Sequence, residues 1–205
     1  MDEQLNDVSK RIVDSALELF ATYGYGSVST TQIAKAAGVA QPHIHYYFRT
    51  KDDLWKAASK ELRRRVDAAN KATEKEFQTG EDDAFSKLKI HCRALHRMHI
   101  EVPEIGKIIF LEGQAGGDRL DWLVHDVFRD SYDEMIEWIK GSIKLGKIKP
   151  LRPHQILMLL HGAAVTYYNL APFVRSTFDR DPRDEKNASD FTDAYMKVVF
   201  DGLAV

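Results

Sequence analysis

Apolar positions recur every three or four residues along nearly the whole chain. No stretch alternates apolar and polar residues over six or more positions, as a half-buried strand would. Ile12, Ala16, Leu19, Phe20 and Tyr23 lie at helical spacing, and Gly24 with Gly26 stops that run. A long helix is predicted from Lys51, with Leu54, Ala58, Leu62, Val66, Ala69, Thr73 and Phe77 on one face. Thr50 and Asp53 form its capping box and Gly80 its stop. Helices are predicted over 83–100, with a break at Pro103, and over 104–112. Gly113, Gly116 and Gly117 then make a hinge-like connection. Asp118 caps a long helix over 118–145, closed by Gly146 and Pro150. Helices over 153–171 and 187–203 flank a polar loop at 172–186. The expected fold class is all-α.

The 205 residues suffice for a small domain joined to a larger one, and 44% hydrophobic with 29% charged residues is a globular composition. One cysteine, Cys92, allows no disulfide within the chain and fits a reducing compartment. The longest apolar runs, such as 156–160, are far short of the roughly 20 residues that span a bilayer. The acidic start (Met1, Asp2, Glu3, Gln4) has no apolar signal core, so a cytoplasmic chain without a membrane partner is expected. A net charge of −2 argues at first against nucleic acid. Its distribution reverses the argument. The 33 residues from Leu19 to Lys51 contain no Asp or Glu, where the chain average would place about 5. Residues 24–65 hold 8 Lys+Arg against 3 Asp+Glu, so the acidity belongs to the rest of the chain.

Inside the acid-free window, Ser29 and Gln32 form a second capping box, opening a helix over 30–37 whose apolar face is Ile33, Ala34 and Ala37. Gly38-Val39 supplies the turn, Gly for a left-handed backbone and Val39 as a plug. A second helix follows over 40–48 with Pro42 in its first turn. Ile44 and Phe48 face inward, which leaves Gln41, His43 and His45 outward with Tyr46 and Tyr47 beside them. A helix presenting amide, imidazole and phenol groups without acids suits a major groove; a plain three-helix packing unit would show the same apolar spacing.

The segment Val28-Ser-Thr-Thr-Gln-Ile-Ala-Lys-Ala-Ala-Gly-Val, with Tyr46-Tyr47-Phe48-Arg49-Thr50-Lys51-Asp52-Asp53-Leu54, resembles the N-terminal domain of the TetR family of transcriptional regulators. The resemblance covers about residues 8–56. It implies a three-helix helix-turn-helix DNA-binding domain (1–52) followed by a larger helical domain (53–205) that binds an effector and dimerises. It further implies a repressor that holds a pseudo-palindromic double-stranded operator as a homodimer and is released by a small inducer. Carried over by position, Ser29 and Thr30 would meet phosphates, with Thr31 near a base. Gln41, Pro42, His43 and His45 would face bases or the groove wall, and Tyr46, Tyr47 and Lys51 would hold phosphates. His43 and His45 depart from the small hydroxyl or aromatic residues more usual there, and would make affinity pH-sensitive near pH 6.5.

In the rest of the chain, Cys92, His96 and His99 share one helical face, with His91 adjacent. That spacing suits a metal site, the lining of a pocket, or buried structural groups beside a thiol; pocket lining is the functional expectation, and no metal or cofactor is expected. Phe110, Trp122, Met135, Trp138, Tyr167, Tyr168 and Phe173 are candidates for a pocket between helices, which would favour an apolar or aromatic inducer; each also fits plain core. Leu157, Leu160 and Ala164 make one stripe, with Gly162 allowing close approach, and Phe191, Tyr195, Val198 and Val199 make another. Such a helix pair can meet a twofold mate as a four-helix bundle, or be buried within the monomer. No Gly-rich phosphate loop, nucleophile elbow or Glu-x-x-His pair is present, so an enzyme is not expected. Asp121 and His125, four apart, fit a solvated face. A helical small-molecule-binding protein without sequence-specific DNA binding is the remaining alternative.

Overall fold

The computed structural model describes residues 7–77, 80 and 82–205, all of whose regular elements are helical. Residues 1–4, on which the expectation of no leader rests, lie outside them. The chain divides into two compact units: one runs to Arg65 and includes Lys107–Val127, and the other comprises Val66–Gly106 and Phe128–Val205.

In the first unit, α1 (Asp7–Tyr23) buries Ile12, Val13, Ala16, Leu17 and Phe20. A 3-10 turn (Tyr25–Ser27) leads to α2 (Thr30–Ala37) and α3 (Gln41–Tyr47). Both bonds of the Ser29–Gln32 capping box form: the Gln32 amide donates to Ser29 Oγ at 3.2 Å and the Ser29 amide to Gln32 Oε1 at 2.7 Å. Gly38 ends α2 at φ 64°, a left-handed conformation that side chains with a Cβ resist, so the turn into α3 depends on this residue. Ile33, Ile44 and Phe48 are buried beneath the two helices. Thr50 and Asp53 close the second capping box at 3.0 Å in each direction. It opens α4 (Lys51–Phe77), 27 residues and about 40 Å long, whose buried positions run from Leu54 to Thr73. Helix α4 is described to Phe77; the expected stop, Gly80, has φ 78°.

The remainder of the first unit comes from later in the chain. Most of α6 (Glu104–Ala115) and all of α7 (Asp118–Trp122) belong to it. Trp122 meets buried Trp55 edge-on at 5.5 Å, and Arg63 donates to the Val127 carbonyl at 2.6 Å.

The second unit is built on α5 (Ala84–Glu101), α8 (Arg129–Lys144), α9 (Pro153–Asn169), α10 (Ala171–Phe178) and α11 (Glu185–Leu203). Asp83 caps α5 by accepting from the Phe85 and Ser86 amides. Leu88, Cys92, Met135, Ile139, Ile156, Leu160 and Tyr195 form its core.

Four expectations are corrected. The helix predicted over 118–145 is three pieces: α7, a π-helical segment (Leu123–Phe128), and α8. The wider turn sits where the chain passes from the first unit (Val127) to the second (Phe128), shifting the register of the apolar face between two cores. Asp118 is the first helical residue rather than the cap; Gly117 holds that position without a side-chain bond. The predicted 153–171 helix ends at Asn169, and half of the predicted loop is α10, because Pro172 starts a new helix in its first turn. Among the described residues no single helix is long and apolar enough to cross a membrane.

Candidate nucleic-acid interface and effector core

The α2–α3 face is exposed where a duplex would need it. Ser29, Thr31, Gln41, Pro42, His43, His45 and Tyr46 are exposed; Thr30 and Tyr47 are half-buried. Tyr46 is 80% exposed and stands edge-on to Tyr47 at 4.9 Å, so the pair braces two phenols at the end of α3. The inward turn of Ile44 and Phe48 is what aims Gln41, His43 and His45 outward. These groups offer donors and acceptors to base edges, while hydroxyls and helix-start amides position a backbone.

Lys51 is placed differently from its expected role. It is half-buried, its ammonium donates to the Tyr25 carbonyl at 2.5 Å, and it lies 4.1 Å from the Tyr25 ring centre. The Arg119 guanidinium lies over the same ring at 4.3 Å. Burial, then the Arg119 charge, lowers the Lys51 pKa. Lys51 therefore first ties α4 to the 3-10 turn. Sequence reasoning missed Tyr25 and Arg119, because their pairing spans most of the unit. It also left Arg49 and Lys35, both exposed, off the candidate face, although their place in the acid-free window was the available signal. Arg119 also pairs with Glu112 at 3.1 Å, whose side chain is buried.

The second unit gathers most, not all, of the expected pocket residues. Cys92, His96, His99, Met135 and Tyr168 are buried; Trp138 and Tyr167 are half-buried. Tyr195 donates to the Leu160 carbonyl at 3.0 Å and reaches the Cys92 sulfur at 3.6 Å. Burial pushes the Cys92 thiol up to about 12, so it is no nucleophile. The Tyr168 hydroxyl lies 3.4 Å from His96 Nδ1, and its ring stacks on His99 at 5.9 Å. His161 Nε2 lies 3.5 Å from His91 Nε2 and 3.3 Å from the Met135 sulfur. Four imidazoles thus line one seam between α5 and α9. Burial pushes His91 down to about 3 and His96, His99 and His161 to about 4; neighbouring imidazoles add to the shift at His91 and His99, and Arg93 adds to it at His96. Among the described residues no three His, Cys, Asp or Glu side chains are grouped to hold a metal.

Phe110, Trp122 and Phe173 are corrections to the pocket. Phe110 and Trp122 belong to the first unit, Phe110 at 52% exposure and Trp122 packed on Trp55, because the 107–127 segment joins that unit; Phe173 is 61% exposed on α10. His91, His161, Phe191 and Tyr195 pack among these rings, and the four-residue spacing of Phe191 and Tyr195 was the signal for a face turned to the chain's own core.

The expected dimer stripes need the same correction. Leu157, Leu160, Ala164 and Tyr195 are buried in the chain itself, and Phe191 and Val199 are half-buried. Gly162 and Val198 are exposed, and Met158 and Leu159 join them at 68% and 64% exposure. The exposed apolar face is therefore the opposite side of α9.

Known proteins share this architecture. Residues 12–58 match the family described as bacterial regulatory proteins, tetR family, and residues 62–205 match the YcdC-like protein C-terminal region. The HTH-type transcriptional regulator RutR of Escherichia coli (strain K12) is 25% identical over 195 residues, covering 95% of this chain and 89% of that protein. The ketosteroid transcriptional regulator KstR2 of Mycobacterium tuberculosis superposes with a TM-score of 0.73 at 15% identity over 98% of this chain and 97% of its own. FadR from Bacillus subtilis, solved in complex with stearoyl-CoA, gives 0.68 at 17% over 95% and 98%. At such identities the two structures speak to the fold.

Proposed function

The chain belongs to the tetR family of bacterial regulatory proteins and is a ligand-responsive, DNA-binding transcriptional regulator; from that premise we propose that it is a dimeric repressor released by a small, largely apolar or aromatic inducer. DNA binding is assigned to residues 1–52, and effector binding and dimerisation to 53–205, acting in the cytoplasm where the chromosome lies. The observation that carries this reading is the exposed, acid-free face of Gln41, His43, His45 and Tyr46 on a helix fixed from below by Ile44 and Phe48. Twofold pairing through the exposed side of α9 (Met158, Leu159, Gly162) with Val198 of α11 would supply the two recognition helices that a pseudo-palindromic site requires.

Linkage is supported by chain continuity. Helix α4 is unbroken from Lys51, at the recognition end, to Phe77, and its first and second halves belong to different units. An inducer that favours another position of the second half shifts the population of the first, and both half-sites must engage at once for tight binding. The test is selection of bound fragments from a genomic pool, followed by a gel shift at rising salt. A site-specific, salt-sensitive complex of a dimer is expected. Binding that ignores sequence, or a monomer at micromolar concentration, would refute the proposal.

A further inference from the structure

Buried polar atoms without a partner are rare in folded proteins, and each calls for an explanation. On the reading that residues 53–205 hold the effector, four of them become informative: His96 Nε2, both ring nitrogens of His99 and, on the residue after Tyr168, Asn169 Nδ2. His96 and His99 are 1% and 2% exposed. Asn169 ends α9 and lays its amide against Gly106 in the first turn of α6, where an added Cβ would clash with Asn169 Oδ1. Gly106 thus leaves the room that this amide occupies. Tyr168 joins the set, stacking on His99 and reaching His96 Nδ1.

The set holds more donors than acceptors. An amide nitrogen only donates, and each neutral imidazole carries one N–H and one acceptor nitrogen. When the Tyr168 hydroxyl donates to His96 Nδ1, the His96 proton sits on Nε2, the atom without a partner. No carboxylate is among the groups that act on these two rings; the charged one is Arg93, and the neighbouring imidazoles are neutral near pH 7. The corner therefore offers more donors than acceptors, and no negative charge.

A route from solvent adjoins it. Phe191 stacks on Tyr167 at 3.6 Å, and its ring also contacts His96 at 5.5 Å. The same aromatic pair lines a shallow hollow of about 360 Å³ whose other walls are Arg180, Lys186, Asn187 and Asp190. Lys186 pairs with Asp190 at 2.6 Å, which leaves the Arg180 guanidinium as the lining charge that an incoming anion would meet.

We propose that the effector is a small organic acid: its carboxylate accepts hydrogen bonds from His96, His99 and Asn169, and its apolar body lies against Tyr168 and Phe191. The stacked Tyr167–Phe191 pair opens to admit it from the hollow.

The test is calorimetry on the full-length protein with matched acids and amides: benzoate and benzamide, phenylacetate and phenylacetamide, octanoate and octanamide. At least one acid is expected to bind roughly tenfold or more tighter than its amide, and to release an operator fragment. Asn169→Asp and His99→Gln should each lose roughly tenfold in affinity for that acid, with melting of the free variants checked in parallel. Acids and amides binding alike, acid binding retained in both folded variants, or no acid bound at all would overturn the proposal. Release by a neutral compound alone overturns the acid chemistry and leaves the effector reading standing. An acid bound by a chain that recognises no operator fails the repressor reading and supports this one.

Discussion

The recognition face and the imidazole seam use similar polar side chains and treat them in opposite ways. Around α2 and α3 the polar groups stand in water or close short bonds, Ser29 with Gln32 and Thr50 with Asp53, each three residues apart. Between α5 and α9 they are turned away from water, and their bonds, where made, reach across 26 to 72 residues. Groups that will meet a duplex lose their hydration only when it arrives. Groups in the seam have lost it already, so the free chain carries a destabilisation that a bound guest can relieve.

The largest way to sharpen this contrast is acid. His96 and His99 have folded pKa values near 4 against an ordinary 6.5. The unfolded chain therefore binds more protons than the folded one between these values, and stability falls as pH drops through that window. At pH 5.5 each ring costs about 1.4 kcal/mol, about 3 kcal/mol for these two and about as much again for His91 and His161, while above pH 7 the effect vanishes. Thermal unfolding at pH 7.5, 6.5 and 5.5 checks it. A midpoint that stays level down to pH 5.5 would mean the rings are not buried as described.

Next comes an effect confined to the other region. Gln41 is exposed and holds nothing in the free chain together. Gln41→Ala should leave the melting temperature unchanged and weaken the operator complex by about 1–3 kcal/mol, roughly 5- to 150-fold. Quantitative gel shifts against the selected site measure it. Unchanged affinity would move base reading to His43 and His45.

His99→Leu inverts the usual sign of a core substitution. Both ring nitrogens lack partners, so an apolar side chain of similar bulk should stabilise the free protein by about 1–2 kcal/mol at pH 7.5 and reduce its acid sensitivity. Urea unfolding reads both. A destabilised variant would show that His99 has partners in solution and would break the contrast between the two regions.

These regions also differed in how far they could be read from sequence. Both capping boxes, the Gly38 turn and the inward Ile44–Phe48 pair were legible, since each rests on residues three or four apart. The 53–205 segment was legible as helices but not as faces. Helix α9 is apolar around most of its circumference, so periodicity could not say whether Leu157, Leu160 and Ala164 or Met158, Leu159 and Gly162 turn inward; burial gives the core to the first set. Trp122 and Phe110 looked like pocket residues because nothing local marks that 107–127 joins the first unit. The partnerless His99 and Asn169 atoms depend on which helices meet, a long-range fact that spacing does not carry.

Ser29→Ala is the smallest effect and the direct counterpart of His99→Leu: a polar side chain removed where its bond is made instead of where it is missing. Ser29 Oγ accepts from the Gln32 amide, one of the α2 amides that the helix itself leaves unpaired, while Gln32 returns the bond to the Ser29 amide. Alanine keeps the backbone, and with it the Ser29 N–H that donates to Gln32 Oε1, but removes the hydroxyl that accepts from the Gln32 amide and donates to Gln32 Oε1. A loss of about 1 kcal/mol follows, within the usual 0.5–2 kcal/mol for such caps. Because α2 carries the turn that orients α3, operator affinity should fall with stability, and in similar measure. Ser29→Asp separates the two roles. It restores the cap and adds a charge at the helix start, but it also places a carboxylate where phosphates are expected, so stability should recover while operator binding does not. Recovery of both would show that the start of α2 lies away from the duplex.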